Sequence, residues 1–130
     1  MNSQYIEQLL LTHFQSWQGF DAKRYARDNR NFTIPKDGVW GRITVLGGVN
    51  QIASVSDKPC ILEQGTLIIQ LFCAENVGTA EIKQRADSLA RHFGTKQIQQ
   101  LETLAASVIY VGFDKFYQIN VSVPWRYYVA

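Results

Sequence analysis

Residues 66–73 read TLIIQLFC and form the most apolar stretch of this 130-residue chain. Leu67 and Ile69 would share one face of a β-strand, because successive side chains in a strand point to opposite sides. Ile68 and Phe72 make the other face apolar as well. A strand that is apolar on both faces is typical of the centre of a sheet, or of a strand whose second face another element or subunit covers.

Further strands are predicted on either side of this stretch. Residues 40–46, WGRITVL, are rich in β-branched side chains and end at a glycine pair. Residues 106–113 are mostly apolar, and residues 116–123 alternate apolar and polar side chains, as a half-buried strand does. Pro124 is expected to end that last strand, because proline has no N–H for the ladder. A short strand is predicted at residues 51–55.

Two amphipathic helices are predicted from apolar residues that recur every three or four positions. The first stripe runs from Ile6 to Trp17 and is followed by Gly19 as a stop signal. The second runs over residues 82–93, with the Thr79 hydroxyl as an N-terminal cap and Gly94 as the stop.

This order of elements predicts an α+β fold in one domain, residues 1–130. Strands and helices do not alternate regularly, so we expect a mainly antiparallel sheet of about four to five strands with the two main helices packed on one face. Apolar residues make up 46% of the chain and charged residues 18%, which is a globular composition. A chain of this length is about one domain.

The residue types that carry catalysis or bind metals are scarce. The chain has two cysteines and two histidines, and it lacks phosphate-binding, nucleophile-elbow and zinc-protease motifs. His13 lies on the apolar stripe of the first helix and is expected in the core or at its boundary. His92 lies at a helix end, where a capping or surface role is expected. We therefore expect no enzyme activity, no metal and no cofactor.

Membrane insertion is not expected either. The longest purely apolar runs are four or five residues, against about 20 for a membrane-spanning helix. The first ten residues, MNSQYIEQLL, lack the basic region of a signal peptide. The expectation is a soluble intracellular protein.

Two segments are candidates for contacts with partners. Residues 21–36 carry five cations against two aspartates, a local net charge of +3, with aromatic residues interleaved. The segment is either a solvated loop or a contact surface for an acidic partner or passing nucleic acid. The net charge of the whole chain is only +2, which does not favour a general nucleic-acid binder. Residues 125–128, WRYY, either form an interface or fold back into a groove.

Taken in order, the motifs resemble a known family. They are WGRITV at residues 40–45, GTLIIQLF at 65–72, NVGT at 76–79, ADSLA at 86–90 and YQINVSVPW at 117–125. Over about residues 3–125 the chain resembles the small tail terminator, or tail-completion, proteins of long-tailed bacteriophages and their prophages.

The resemblance implies a structural role in virion assembly. Such proteins form a homo-oligomeric ring, a hexamer, on the head-proximal end of the tail tube. The ring stops the addition of tube subunits and provides the surface that joins the head. The implied partners are further copies of the chain, the tail tube protein and a head-completion or connector protein, with DNA only as cargo passing through the ring. The implied location is the host cytoplasm during assembly and then the virion tail.

Independently of the resemblance, the sequence predicts polar faces on the second helix and the last strand that are suited to contacts with partners. The candidate interface residues are Lys23, Arg24, Arg27, Arg30, Lys36, Gln51, Lys83, Asp87, Gln118, Asn120, Trp125, Arg126 and Tyr127. Two alternatives remain open at this point: another head–tail connector or minor tail protein, and a small nucleic-acid-binding module that uses the cations of residues 21–36.

Overall fold

The computed structural model describes residues 3–28, 30–48, 51–52, 61–74, 78–113 and 115–129, and the structural statements below concern those residues. In chain order the elements are α1 (Ser3–Gln15), β1 (Tyr25–Arg27), β2 (Val39–Gly47), β3 (Gln51–Ile52), β4 (Ile61–Cys73), α2 (Ala80–Phe93), β5 (Gln97–Ile98), β6 (Leu101–Thr103), β7 (Ser107–Phe113) and β8 (Tyr117–Val129).

The strands form one mostly antiparallel sheet with β4 and β8 at its centre. The strand order is β1-β2-β4-β8-β6-β5, with β3 paired to β4 and β7 paired to β8. β4 and β8 are antiparallel along their whole length, with Ile69 opposite Val121. The β1–β2 pair is parallel. The prediction that residues 66–73 form a central strand is confirmed, because β4 has β2 on one side and β8 on the other.

The core lies on one face of this sheet, beneath both helices. The inward side chains of β4 and β8 are those at odd positions, as the register requires. Together with the apolar stripes of α1 and α2 they form a single buried cluster, so both helices pack on the same face. Its fully buried members include Leu10, Phe14, Leu67, Ile69, Leu71, Ile82, Leu89, Phe93 and Ile119.

The predicted α+β class is confirmed, but the predicted strand number is too low. The described residues contain eight strands rather than four to five. The three strands that were not predicted, β1, β5 and β6, have only two or three residues, which is too short to show a period of two. β4 also begins at Ile61, ahead of the predicted start at Thr66. Residues 53–55 of the predicted short strand lie outside the described residues.

The expectation that Pro124 ends the last strand is wrong. β8 continues through Pro124 to Val129, and Pro124 pairs with Thr66 of β4. The Pro124 carbonyl accepts the N–H of Leu104 at 2.9 Å. The backbone carbonyl and nitrogen of Pro124 therefore point toward the gap between β7 and β6. A missing N–H removes no bond to either strand there, because β7 pairs only up to Ser122 and β6 only from Trp125.

The helix ends differ in detail from the predicted signals. Thr79 holds the N-cap position of α2, but its hydroxyl makes no capping hydrogen bond. Gly94 follows the last residue of α2 as predicted, with a negative φ of -67°. α1 ends at Gln15, ahead of the stop expected at Gly19.

Candidate assembly surfaces

One part of the basic segment forms an open groove. Its walls come from residues 21–24 and 31–36, and its volume is about 590 Å³. Lys23 and Lys36 are exposed at this groove, and Ile34 contributes an apolar side chain that is 48% exposed. We call this feature the basic groove. It combines positive charge with an apolar wall, as protein-binding surfaces commonly do.

Arg24 belongs to the wall of this groove and is not a free cation. Its Nη1 donates to the Asp37 carbonyl at 2.8 Å, and its Nη2 lies 3.2 Å from Asp37 Oδ1. Gly38 has a φ of 71°, and a Cβ there would lie 2.9 Å from Arg24 Nη1. The ion pair and this close approach fix the end of the loop that leads into β2.

Two other cations of the segment gather at a separate depression. Arg27 and Arg30 line it together with Arg42 of β2, around a volume of about 270 Å³. Asp28 lies among them, and its Oδ1 accepts the Thr44 hydroxyl at 3.2 Å. Arg27 Nε is buried without a hydrogen-bond partner within the described residues. The prediction did not include Arg42, although its strand alternation with Ile43 places it on the outward face.

The predicted polar face of the last strand lies on the side of the sheet opposite the helices. Gln118 Nε2 donates to Asn120 Oδ1 at 2.8 Å, and Asn120 lies opposite Gln70 in the register. Beside them the ring of Phe72 stacks on Trp40, with centroids 4.5 Å apart. The second apolar face of the central strand is therefore partly covered by aromatic residues of the same chain.

The expected aromatic interface at residues 125–128 is corrected by the structure. Trp125 and Tyr127 are buried in the core, on the helix side of β8. The Tyr127 hydroxyl donates to Gln100 Oε1 at 2.7 Å. Neither side chain is available to a partner in this fold. The segment does not fold back into a groove either, because it continues β8 and its two buried side chains complete the core.

Arg126 points to the opposite face and is also engaged. Its Nη2 lies 2.7 Å from Glu102 Oε1, and both side chains are about one-third exposed. The hydrogen bond with the Glu102 carboxylate raises the pKa of Arg126 above its ordinary value. This pair joins β8 to β6.

The exposed face of α2 meets the edge of the sheet. Lys83 Nζ lies 5.4 Å from the centre of the Tyr110 ring, within the range of a cation–π contact. Asp87 is exposed on the same helix. Gln51 is described only by its backbone, which pairs with Leu62, and its side chain lies outside the described part of the chain.

The most exposed apolar surface was not among the predicted candidates. In β7, Ile109 is 49% exposed, Tyr110 60%, Val111 53% and Phe113 52%. We call these four side chains the apolar edge. The sequence predicted a strand here, but the alternation of residue types could not show that it pairs on one side only. The absence of charged residues from 104–113 was a sequence signal that could have identified this strand as a candidate contact surface.

The two histidines join the C-terminal ends of the helices. Their rings stack with centroids 4.0 Å apart. His13 Nε2 donates to the His92 carbonyl at 2.7 Å, and His92 Nε2 donates to the His13 carbonyl at 2.6 Å. Burial lowers the pKa of His13, because it disfavours the charged imidazolium. Each ring therefore caps the other helix. The capping role expected of His92 at the end of its own helix is found at the end of α1 instead.

The described ranges contain no group of three or more His, Cys, Asp or Glu side chains placed to hold a metal ion. Neither described helix combines the length and apolar content that a membrane crossing requires. Cys73 is buried with a free thiol, and Cys60 lies outside the described residues.

Comparisons with known proteins cover almost the whole chain. A family model described as "Phage tail terminator protein" matches residues 5–125. One solved structure superposes with a TM-score of 0.66 at 16% sequence identity, over 95% of this chain and 96% of that chain. A likeness at this identity shows the fold alone. No curated protein matches the chain.

Proposed function

The chain belongs to the phage tail terminator family, and we propose that it caps the head-proximal end of a phage tail tube as a ring of identical subunits. Membership of this family makes it a structural component of the virion tail. The family match over residues 5–125 is the observation that carries the proposal.

In this proposal the ring acts by geometry rather than by a chemical reaction. One face of the ring binds the last layer of tube protein, and the other face does not resemble a tube end. Further tube subunits then find no matching surface, so growth stops. The same outer face receives a head-completion or connector protein, and DNA passes through the ring as cargo.

Two surfaces described above support a role in assembly. The basic groove and the apolar edge are both exposed. A patch of several large, exposed apolar side chains is typical of a protein-binding surface. A ring needs each subunit to meet two neighbours through different surfaces. We propose a hexamer, as the family resemblance implies.

The test is tail length in particles that lack this protein. Phage or prophage particles made without the gene are examined by electron microscopy, and we expect tubes longer than the normal tail and without heads. Supplying the wild-type chain from a plasmid should restore the normal length.

Another result identifies the alternative role. Tails of normal length that lack heads would show that the chain acts as a connector after termination has occurred. Normal-length tails with heads would contradict both roles.

A further inference from the structure

We propose that neighbouring subunits bind through the apolar edge of one copy and the basic groove of the next. This inference rests on the proposed ring, because it names the two surfaces through which the ring would close.

The backbone of β7 is open to an additional strand. β7 pairs with β8 along one side, and the described residues place no strand on its other side. Such an edge presents free N–H and C=O groups, and edge strands of soluble proteins are usually protected by charges or prolines. Residues 104–113 contain neither. A bulge between Tyr110 and Gly112 is the protective feature that β7 does show.

The area of the apolar edge is substantial but does not make a whole interface. Four side chains that are each about half exposed offer roughly 400 Å² of surface, taking about 200 Å² as the full area of a large side chain. Stable protein interfaces bury about 800 Å² on each partner. The apolar edge therefore supplies at most about half of one side, because Ile109 and Tyr110 lie on opposite faces of the sheet, and the rest must come from its surroundings.

The basic groove is the surface that fits the apolar edge. Its walls come from the segments on either side of β1 in the chain, and β1 lies at the end of the sheet order, whereas β7 pairs on the far side of β8. Ile34 provides an exposed apolar contact. The Lys23 and Lys36 ammonium groups are donors for the free carbonyls of an edge strand. The contact would lie on the Ile109 side of β7, because Lys83 of α2 already lies 5.4 Å from the Tyr110 ring on the other side.

The placement of the two surfaces decides the kind of assembly. A contact between two different surfaces of identical subunits is heterologous, and it closes into a ring when the rotation per subunit allows it. A β7-to-β7 contact would instead have twofold symmetry and stop at a dimer. The proposal is the heterologous contact, and a symmetric dimer counts against it.

Mixing two variants of the full-length chain tests the proposal. Val111→Lys places a charge on the apolar edge, and Ile34→Lys places the same charge in the basic groove. Each variant alone is expected to be monomeric by light scattering at a concentration where the wild type assembles. An equal mixture is expected to form a dimer and nothing larger, because one intact edge and one intact groove remain.

The controls separate association from folding. Both substitutions are at exposed positions, so circular dichroism and the melting temperature of each variant should match the wild type. Val111→Ile and the surface variant Gln8→Lys should assemble like the wild type. Ile109→Lys, also on the apolar edge, replaces Val111→Lys if that chain folds poorly.

The opposing results are equally definite. A wild-type chain that stays monomeric at all concentrations, an Ile34→Lys variant that still forms dimers, or a mixture that stays monomeric would each overturn the inference. The proposed function is judged separately: if wild-type and Val111→Lys chains restore tail length equally well, termination stands and this interface fails.

Discussion

At the scale of single residues, Gly65 and Trp125 show how the register of the central strands sets a side-chain requirement. The two residues lie opposite each other in β4 and β8. A Cβ on Gly65 would lie 2.5 Å from Trp125 Cζ2 and would also collide with the Leu46 carbonyl. The absence of a side chain at Gly65 therefore leaves room for the buried indole.

Gly65→Ala is expected to lower the free energy of unfolding by about 1–3 kcal/mol, the usual cost of overpacking a core. Gly47 provides a matched control, because it pairs with Gly65 and has no atom within 4 Å of its own Cβ position. Gly47→Ala should change the free energy of unfolding by less than about 1 kcal/mol. Urea denaturation of both variants measures the difference, and equal losses would contradict this account.

At the scale of elements, the histidine pair connects α1 to α2. Both rings donate to backbone carbonyls at helix C-termini, where carbonyls lack partners within the helix. The ring centroids are 4.0 Å apart, and the neighbouring His92 ring contributes to lowering the pKa of His13 after burial, the largest cause. The positive charge of Lys96 also lowers the pKa of His13.

Stability should therefore fall in mild acid. His13 has a folded-state pKa below its ordinary value of 6.5, so the unfolded chain takes up the proton first. The stabilisation is complete above about pH 6.5 and is lost as the pH falls through the lower, folded-state pKa. We expect the melting temperature to drop as the pH is lowered from 7.5 to 5.5.

His13→Gln removes the titrating group and should flatten that drop, whatever its effect on absolute stability. His92→Gln should keep most of the drop, because burial is the largest cause of the lowered pKa of His13. An unchanged pH profile in His13→Gln would contradict this assignment.

At the scale of the whole molecule, the last strand holds the sheet together. β8 pairs with β4 on one side and with both β7 and β6 on the other. Its C-terminal half contributes Trp125 and Tyr127 to the core. The C-terminal half of β8 is therefore a structural part of the domain.

Removal of residues 124–130 is expected to abolish cooperative folding, since it takes away two buried aromatic side chains and the β6 pairing. The control Tyr128→Ala, at an exposed position, should fold and melt like the wild type. Thermal unfolding followed by circular dichroism distinguishes them, and a sharp transition in the truncated chain would contradict the expectation.

Particular residues show which features of the fold could be predicted from the sequence and which could not. Long periodic segments such as α2 and β4 were found, because many side chains report the same face. Trp125 could not be placed, since an aromatic residue suits a core and an interface equally and only its pairing with Gly65 decides. The exposure of Val111 depends on which strands pair with β7, and alternation within one strand carries no such information.

The uncharged edge of β7 has a consequence for how the protein must be produced. Short segments with high β propensity, no proline and no charge are prone to irregular stacking when they stay exposed. Subunits present in excess would then associate through their β7 edges with the strands paired in an incorrect register. Overproduction of the chain alone should therefore favour precipitation over orderly assembly.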